Sequence, residues 1–204
     1  MFNNLPTIQP ESDDVMHLNS DAPSAQCDRE AAVLIPLVWR NDEWHILFIR
    51  RAKNQHDRHS GQVAFPGGRL EKCDASAEMG ALRETQEEIG VHPDQVQLLG
   101  TISPYVTISK YCVTPVVGIV NWPTTLVLQA SEVARAFLIP LSWLKKRDNF
   151  TYKARRELDA QSAKRHPIIV FNEYDGETLW GATARMTLNF IKSVEDNDLL
   201  LPAR

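Results

Sequence analysis

The chain of 204 residues has few cysteines and no long apolar run. Its three cysteines, Cys27, Cys73 and Cys112, are odd in number, widely spaced and contain no CxxC pair. This pattern argues against the disulfide framework of a small secreted domain and against a cysteine zinc site. No apolar stretch approaches the roughly 20 residues of a membrane-spanning helix, and the N-terminus lacks a signal-peptide pattern. We therefore expect reduced thiols and a cytoplasmic location.

A strong charge of one sign is also lacking. The formal net charge is -4, which gives no general attraction to nucleic acid or to an anionic membrane. We therefore expect neither of these as a partner. The sequence leaves the oligomeric state open, and a homodimer is compatible with it.

The length suits one domain of ordinary size with a flanking tail. Prolines and polar residues predict a partly irregular N-terminal arm over residues 1–28, with one short helix near 13–18. The domain itself is expected over residues 29–195, and a C-terminal tail over 196–204.

Apolar runs and turn residues predict the order of strands and helices within this domain. Helices are expected over 76–89 and 178–194, where apolar residues recur at i, i+3 and i+4 spacing. The segment 131–146 combines a strand with one or two helical turns. Strands are predicted over 31–39, 44–52, 62–68, 96–103, 113–121, 149–158 and 167–174. This order favours an α/β fold, with helices on both faces of a mixed sheet.

Three glutamates, Glu84, Glu87 and Glu88, crowd the helix that follows a glycine pair. Residues three and four apart share a helix face, so these carboxylates repel one another unless a cation neutralises them. Oxygen ligands suit hard divalent cations such as Mg²⁺, and a glycine carbonyl just upstream can supply another oxygen. Arg83 lies four residues before Glu87 and can orient it. A plain solvated helix face is the alternative interpretation.

The same stretch resembles the Nudix box, in which Gly, five residues, Glu and seven residues precede Arg-Glu-apolar-x-Glu-Glu-x-Gly-apolar. Gly68 starts the match, and "RETQEEIGV" (83–91) closes it. Asp74 stands in place of the first Glu, eight residues rather than seven separate it from Arg83, and Thr85 replaces the apolar residue. The helical half of the box is intact.

This resemblance implies an α/β/α sandwich that hydrolyses nucleoside diphosphates linked to another group, with Mg²⁺ or Mn²⁺ as cofactor. Gly68, Glu84, Glu87 and Glu88 are then the metal residues. Arg83 and the three glutamates form the catalytic set, in which Arg83 and the metal share Glu87. Some members take a general base from a distant loop, and the sequence does not choose among Glu157, Glu173 and Glu177.

The preceding segment "LFIRRAKNQHDRHSGQVAFPGG" (47–68) resembles the additional motif of coenzyme A diphosphatases within this family, and "LWGATARM" (179–186) resembles a late helix of the same subgroup. Together the resemblances cover roughly residues 30–192. The loop from Ala52 to Gly61 is one residue longer than in the motif, so Asp57 occupies the position of the motif arginine. The residues expected to bind a small nucleotide substrate related to coenzyme A are Arg51, Arg58, His59 and Phe65. A solvated basic loop, with Phe65 in the core, is the alternative.

Our first hypothesis is a hydrolase of coenzyme A or its thioesters that yields 3′,5′-ADP and 4′-phosphopantetheine or its acylated form. The displaced motif arginine keeps open a hydrolase of another nucleoside diphosphate derivative, such as ADP-ribose or a dinucleotide. A sensor that binds nucleotides without turnover is a third hypothesis. The complete set of Arg83 and three glutamates argues against it, because a binding module does not require clustered carboxylates.

Overall fold

The computed structural model describes residues 2, 4–9, 27–55, 59–154 and 166–203. The predicted helical arm segment 13–18 and the carboxylate of Glu157 lie outside these residues. Three α-helices are described: α1 Ala77–Ile89, α2 Leu141–Leu144 and α3 Gly181–Glu195. The strands are β1 Arg29–Arg40, β2 Glu43–Arg51, β3 Val63–Ala64, β4 Gly67–Arg69, β5 Val96–Thr101, β6 Tyr105–Val106, β7 Tyr111–Val120, β8 Val133–Pro140, β9 Phe150–Lys153 and β10 Ile168–Phe171.

The predicted mixed sheet is confirmed. Eight strands form one sheet with the central order β3-β2-β1-β7-β5, to which β4, β6 and β8 are added at β1, β7 and β2. Strands β1 and β7 run parallel, whereas the other pairings are antiparallel. Strands β9 and β10 form a separate antiparallel pair. Strands β1 and β2 form a hairpin, with Arg40 opposite Glu43 beside the turn.

Alternate side chains of β1 enter two different cores, because successive residues of a strand point to opposite faces. Leu34 packs with Ala81 of α1 on one face of the sheet. Ile35 and Leu37 pack on the other face in a cluster that includes Phe190 of α3. Helices therefore cover both faces of the sheet, as an α/β/α sandwich requires.

The structure divides the predicted strand 62–68 into β3 and β4, one of which pairs with β2 and the other with β1. Beyond the hairpin turn, β2 pairs with β3 and β1 pairs with β4. The backbone N–H of Leu34 donates to the carbonyl of Pro66 at 2.9 Å, and that of Arg51 donates to Gln62 at 2.9 Å. Proline lacks an N–H and interrupts strand pairing, which accounts for the division at Pro66. These pairings thereby fix the glycine pair, Gly67 and Gly68, at the sheet.

Helix α1 begins and ends at residues suited to those positions. The Ser76 hydroxyl accepts a hydrogen bond from the N–H of Met79 at 3.3 Å, as an N-cap does. Gly90 ends the helix in the left-handed conformation with φ 73°, and its N–H donates to Gln86. The predicted bounds 76–89 thus agree with the structure, and both ends of the glutamate helix are fixed.

Two described segments outside the sheet attach to the domain. Near the N-terminus, Ile8 donates to Tyr152 at 3.0 Å, and Ala154 donates to Pro6 at 3.0 Å, so this part of the arm runs beside β9. In the C-terminal tail, Leu199 is buried in the core that α3 covers. The boundaries at 28 and 195 remain predictions.

The expectation that all three thiols stay reduced was wrong. Cys27 and Cys112 form a disulfide across 85 residues, and only Cys73 is free. The parallel pairing of β1 with β7 brings these distant cysteines together, because Arg29 lies opposite Tyr111, the neighbour of Cys112. A cytoplasmic location stays a prediction, now without the support of cysteine usage. Within the described ranges, no helix has the length and apolar character needed to cross a membrane.

Candidate active site

The glycine pair of β4 lies directly against the glutamate face of α1. The N–H of Gly67 donates to Oε2 of Glu88 at 3.0 Å. A Cβ added at Gly68 would stand 2.5 Å from the carboxylate carbon of Glu84. Any side chain at Gly68 would therefore displace Glu84, which explains why glycine is needed at this close approach.

Glu88 is a buried acid beside Arg51. The residue is 2% exposed, and its Oε1 lies 3.9 Å from Nη1 of Arg51. Burial raises the pKa of Glu88 to about 7, against the opposing effects of the Gly67 N–H and Arg51. Near neutral pH this carboxyl group therefore exchanges a proton readily, and a cation would favour its ionised form.

Glu84 stands beside Glu88 in a half-buried position. Burial is the main cause that raises the pKa of Glu84, while its contact with Arg83 opposes that rise. The charge of Glu84 also raises the pKa of Glu88, so an ionised Glu84 disfavours ionisation of its neighbour. Two neighbouring acids that are costly to ionise are suited to a site that a cation fills.

Arg83 connects the loop before α1 to the glutamate face. Its Nε and Nη2 donate to Oδ1 and Oδ2 of Asp74 at 3.0 and 2.9 Å. Its Nη1 donates to Glu84 at 3.0 Å and to Glu87 at 3.1 Å. The predicted pair of Arg83 and Glu87 is confirmed, and Arg83 orients two of the three glutamates.

The role of Asp74 was not predicted from the sequence. Its side chain is buried, and Oδ2 also accepts the N–H of Glu71 at 2.8 Å. Hydrogen bonds from Arg83, followed by that from Glu71, lower the pKa of Asp74. Asp74 therefore holds Arg83 and does not face the glutamate cluster as a ligand. The shorter acid and the longer loop were visible in the sequence, but the contact of Asp74 with Arg83 was not.

The donor set suits a divalent cation, although the carboxylates are not drawn together around one point. In the described part of the chain, no three His, Cys, Asp or Glu side chains converge as a ready-made metal site. Arg83 and Gly67 hold oxygens of Glu87 and Glu88, respectively, which accounts for this spread. Glu84, Glu88 and the backbone of Gly68 still offer only hard oxygen donors in close proximity, the type that Mg²⁺ and Mn²⁺ bind.

The predicted substrate residues occupy different environments. Arg51 lies beside Glu88 and His59 is exposed with Nδ1 3.0 Å from Oε1 of Gln62. Arg58 lies outside the described residues. Phe65 is 2% exposed and stacks on Phe48 with ring centroids 5.0 Å apart. Phe65 is therefore a core residue rather than a substrate contact, which corrects its assignment.

Two of the three distant candidates for a general base, Glu173 and Glu177, lie within the described residues. Glu177 is buried, and its Oε1 accepts hydrogen bonds from Arg50 at 2.9 Å and Arg135 at 3.2 Å. Arg50 and Arg51 are neighbours on β2 and point to opposite sides, so Glu177 lies away from Glu88. Glu173 is exposed after β10. A different acid, Glu132, influences both Glu84 and Glu88. No local pattern in the sequence links Glu132 to Glu88, because the two residues are 44 positions apart in the chain.

Comparison with known proteins finds one family throughout. The family model described as NUDIX domain matches residues 28–160. A protein of Pectobacterium atrosepticum named uncharacterized Nudix hydrolase NudL is 34% identical over 168 residues, which span 82% of this chain and 84% of that protein. Its namesake in Escherichia coli K12 is 36% identical over 154 residues, covering 74% of this chain and 70% of that protein.

Solved structures agree in fold. A Nudix hydrolase of M. smegmatis, RenU, superposes with a TM-score of 0.55 at 17% identity and covers 86% of this chain and 90% of that one. A MutT/nudix family protein from Enterococcus faecalis gives a TM-score of 0.53 at 17% identity over 86% of this chain and 65% of that one. The α/β/α architecture is therefore shared with solved proteins at the level of the fold.

Proposed function

The chain belongs to the Nudix family of diphosphate hydrolases, and we propose that its substrate is coenzyme A or a coenzyme A thioester. Hydrolysis adds water across one P–O–P linkage, so that the linkage is broken and two phosphate monoesters are released. For coenzyme A the expected products are 3′,5′-ADP and 4′-phosphopantetheine, and a thioester gives the acylated form of the second product.

The contact of Arg51 with Glu88 is the observation that carries this proposal. Arg51 belongs to the segment 47–68 that resembles the coenzyme A motif, and its Nη1 lies 3.9 Å from the buried carboxylate of the glutamate helix. The end of the same segment, Gly67, donates to the other oxygen of Glu88. The motif and the glutamate helix therefore belong to one site, where a cationic side chain can bind diphosphate oxygens.

Members of this family generally use divalent metal ions, and we propose Mg²⁺ or Mn²⁺ for this chain. Glu84, Glu88 and the carbonyl of Gly68 are the residues that would hold the ion, with Glu87 available next to them. When bound, such an ion supplies positive charge that stabilises the negative charge developing on the phosphate oxygens.

The protein's own groups prepare this site in three ways. Arg83 holds Glu84 and Glu87 in fixed orientations, and Asp74 holds Arg83 from the other side. Arg51 offers a planar guanidinium that can bind phosphate oxygens. Burial of Glu88 keeps water away from one edge of the carboxylate cluster, which strengthens electrostatic interactions there.

A substrate panel tests the proposal directly. The protein is incubated with Mg²⁺ or with Mn²⁺ and with coenzyme A, acetyl-coenzyme A, ADP-ribose and NADH, and products are identified by mass spectrometry. We expect 3′,5′-ADP from the coenzyme A compounds. AMP from ADP-ribose without 3′,5′-ADP from any coenzyme A compound would reject the proposed substrate while retaining the hydrolase.

Glu88→Gln supplies the matched control, because it keeps the size of the side chain and removes its charge. We expect this variant to lose most turnover while it remains folded in the absence of metal. Turnover equal to that of the wild type would show that Glu88 is not a ligand. A wild-type protein that binds these compounds but hydrolyses none would favour the nucleotide sensor.

One feature of the sequence favours a second substrate class. The loop between Ala52 and Gly61 places Asp57 where the coenzyme A motif has an arginine. An acid at that position would repel the 3′-phosphate that distinguishes coenzyme A from ADP-ribose. The comparison of coenzyme A with ADP-ribose at equal concentration therefore decides between the two substrates.

A further inference from the structure

The disulfide of Cys27 and Cys112 lies at the end of the sheet where β1 begins. Cys112 belongs to β7 and lies opposite Glu30 of β1, while Cys27 lies just before that strand. Beside the bridge, the N–H of Asp28 donates to the carbonyl of Lys110 at 2.9 Å. The bridge therefore closes the parallel pairing of β1 with β7 at its first residues.

The opposite edge of β1 holds the loop that precedes the glutamate helix. Strand β4 pairs with β1 along this edge, and the N–H of Leu70 extends the pairing by donating to the carbonyl of Glu30 at 3.1 Å. The loop turns immediately afterwards, since the N–H of Asp74 donates to the carbonyl of Glu71 at 3.0 Å. Glu30 thus lies between the bridged cysteine of β7 and the loop that carries Asp74.

This loop and β4 together determine where Arg83 points. Its Nη2 donates to the carbonyl of Arg69 at 3.3 Å and, together with Nε, to the carboxylate of Asp74. Its Nη1 donates to Glu84 and Glu87. A continuous series of contacts therefore leads from the bridge, through the first residues of β1 and the end of β4, to two of the glutamates.

The bridge is open to attack by a reductant, because Cys27 is exposed. Exposed disulfides are typically the labile ones. After reduction, the start of β1 keeps its backbone hydrogen bonds and the ion pair of Lys110 with Asp28 at 3.6 Å. Both side chains of that pair are largely exposed, so the pair contributes little. Strand ends open locally at low cost, and we expect the first residues of β1 to loosen.

We propose that the bridge is a redox switch of the candidate active site, and that its reduction weakens metal binding and turnover without unfolding the protein. This inference rests on the proposed metal-dependent function. When β1 loosens at Glu30, Leu70 and the loop that follows it lose their support. Arg83 then holds Glu84 and Glu87 less firmly in the orientations that the intact bridge maintains.

A dithiol is the class of reductant that the switch requires. One of its thiolates attacks the sulfur of Cys27, which forms a mixed disulfide and releases Cys112 as a thiolate that takes up a proton. The second thiolate then attacks the sulfur of the dithiol within the mixed disulfide and releases Cys27. The protein thereby gains two electrons and two protons, and the dithiol becomes a cyclic disulfide.

The test compares the oxidised and the reduced full chain, with the reductant removed before measurement because thiolates bind metal ions. Isothermal titration calorimetry gives the Mn²⁺ affinity, and steady-state kinetics gives kcat on the substrate that the panel identifies. We expect the reduced protein to bind Mn²⁺ roughly fivefold more weakly, with kcat lower by a similar factor. Reoxidation should restore both values, and both forms should remain folded at the assay temperature.

Three variants separate the bridge from other effects. Cys27→Ser/Cys112→Ser should behave like the reduced protein and be insensitive to the dithiol. Cys73→Ser should respond like the wild type, because its thiol is free. Gly176→Ala strains the backbone at φ 77° and lowers stability, yet it should bind Mn²⁺ like the oxidised wild type. A general loss of stability is thereby distinguished from a loss of orientation at Arg83.

Asp74→Asn tests the series of contacts between the bridge and the glutamates. This variant already loosens Arg83, so reduction should add little to its loss of Mn²⁺ affinity. A response to reduction as large as that of the wild type would show that Asp74 does not transmit the effect, and the inference would be wrong.

Equal Mn²⁺ affinity and equal kcat in the oxidised and reduced wild type would overturn the inference and leave the proposed function intact. A response to the dithiol that persists in Cys27→Ser/Cys112→Ser would also overturn it, because the response would then come from Cys73. A wild-type protein that neither bound Mn²⁺ nor hydrolysed any diphosphate in either form would contradict the proposed function and the inference together.

Discussion

Arg83 and Asp74 form a two-point contact, with Nε to Oδ1 at 3.0 Å and Nη2 to Oδ2 at 2.9 Å. The planar guanidinium matches a carboxylate at both of its edges, so the pair fixes the direction of Arg83 as well as its position. The remaining nitrogen, Nη1, then reaches Glu84 and Glu87. The loop before the helix thus determines where two of the glutamates point.

The first prediction is that Asp74→Asn impairs catalysis by loosening Arg83. Asparagine keeps the shape of the side chain but offers only one acceptor oxygen, so the two-point contact is lost. We expect kcat at saturating Mg²⁺ to fall roughly tenfold, as is typical when the support of a metal site is removed. Steady-state kinetics on the substrate that the panel identifies measures this effect.

Asp74→Glu is the informative companion to this variant. The loop of this chain is one residue longer than the box it resembles, and its acid is one methylene shorter. If the longer loop compensates for the shorter acid, Asp74→Glu alone will not restore the family arrangement and will also reduce kcat. Wild-type kcat in Asp74→Glu would contradict the compensation, and wild-type kcat in Asp74→Asn would contradict the positioning role.

A second prediction concerns the stability of the metal-free protein. Glu88 has a folded pKa of about 7 against 4.5 for an unperturbed glutamate, because it is buried. Between these values the folded state binds more protons than the unfolded state, so stability falls as pH rises. Glu88→Gln removes this dependence. We expect it to be more stable than the wild type at pH 8, by up to about 3 kcal/mol, and to lose that advantage near pH 4.

Urea denaturation in EDTA at several pH values measures the difference between the two proteins. Asp74, whose pKa is lowered by Arg83, acts in the opposite direction and in a separate window. Its contribution is present above the ordinary pKa of an aspartate and is lost as pH falls below that value. Excess Mg²⁺ is the control, because ligand binding should stabilise the wild type more than Glu88→Gln. A stability difference that does not change with pH would refute the assignment.

The helix and its glutamates could be predicted because the information is local. Ser76, Gly90 and the spacing of Glu84 and Glu88 lie within one short stretch, and capping and helical periodicity depend on such stretches. The strand order along the chain was predictable for the same reason. The pairing of β1 with β7 was not, since it joins segments about 80 residues apart in the sequence.

The parts that sequence reasoning missed all depend on distant contacts. Cys27 lies just before β1, and Cys112 lies in β7. The two cysteines come together because β1 and β7 are parallel neighbours in the sheet. The loop of Val127 and Gln129 meets the end of α1 through backbone hydrogen bonds to Ile89 and Glu88, about 40 residues away in the chain. Phe65 follows β3, and its ring is buried against Phe48 of β2. Such relationships follow from the fold and leave no mark on a short segment.

The third prediction tests the close approach of the glycine pair to the helix. In Gly68→Ala the new Cβ would stand 2.5 Å from the Glu84 carboxylate, the far end of a flexible side chain. We expect Glu84 to turn away while the fold is retained, and Mn²⁺ affinity to fall roughly tenfold. Isothermal titration calorimetry gives the affinity, and thermal unfolding without metal reports on the fold.

Gly176→Ala is the matched control for this substitution. Gly176 has φ 77° and open space where a Cβ would be placed, so alanine there strains the backbone without displacing a carboxylate. Some loss of stability and an unchanged Mn²⁺ affinity are expected. If both variants bound Mn²⁺ like the wild type, Glu84 would not need the space that Gly68 leaves.

The last prediction addresses the disulfide of Cys27 and Cys112. Alkylation of the unfolded, unreduced protein should modify Cys73 alone, whereas all three cysteines should react after reduction, as mass spectrometry will show. The bridge closes a long loop, with 85 residues of sequence separation, and so restricts the unfolded chain. The double variant Cys27→Ser/Cys112→Ser should therefore be less stable by about 2–4 kcal/mol. Cys73→Ser should match the wild type, because that thiol is exposed and unbridged. Three reactive thiols before reduction would rule out the bridge.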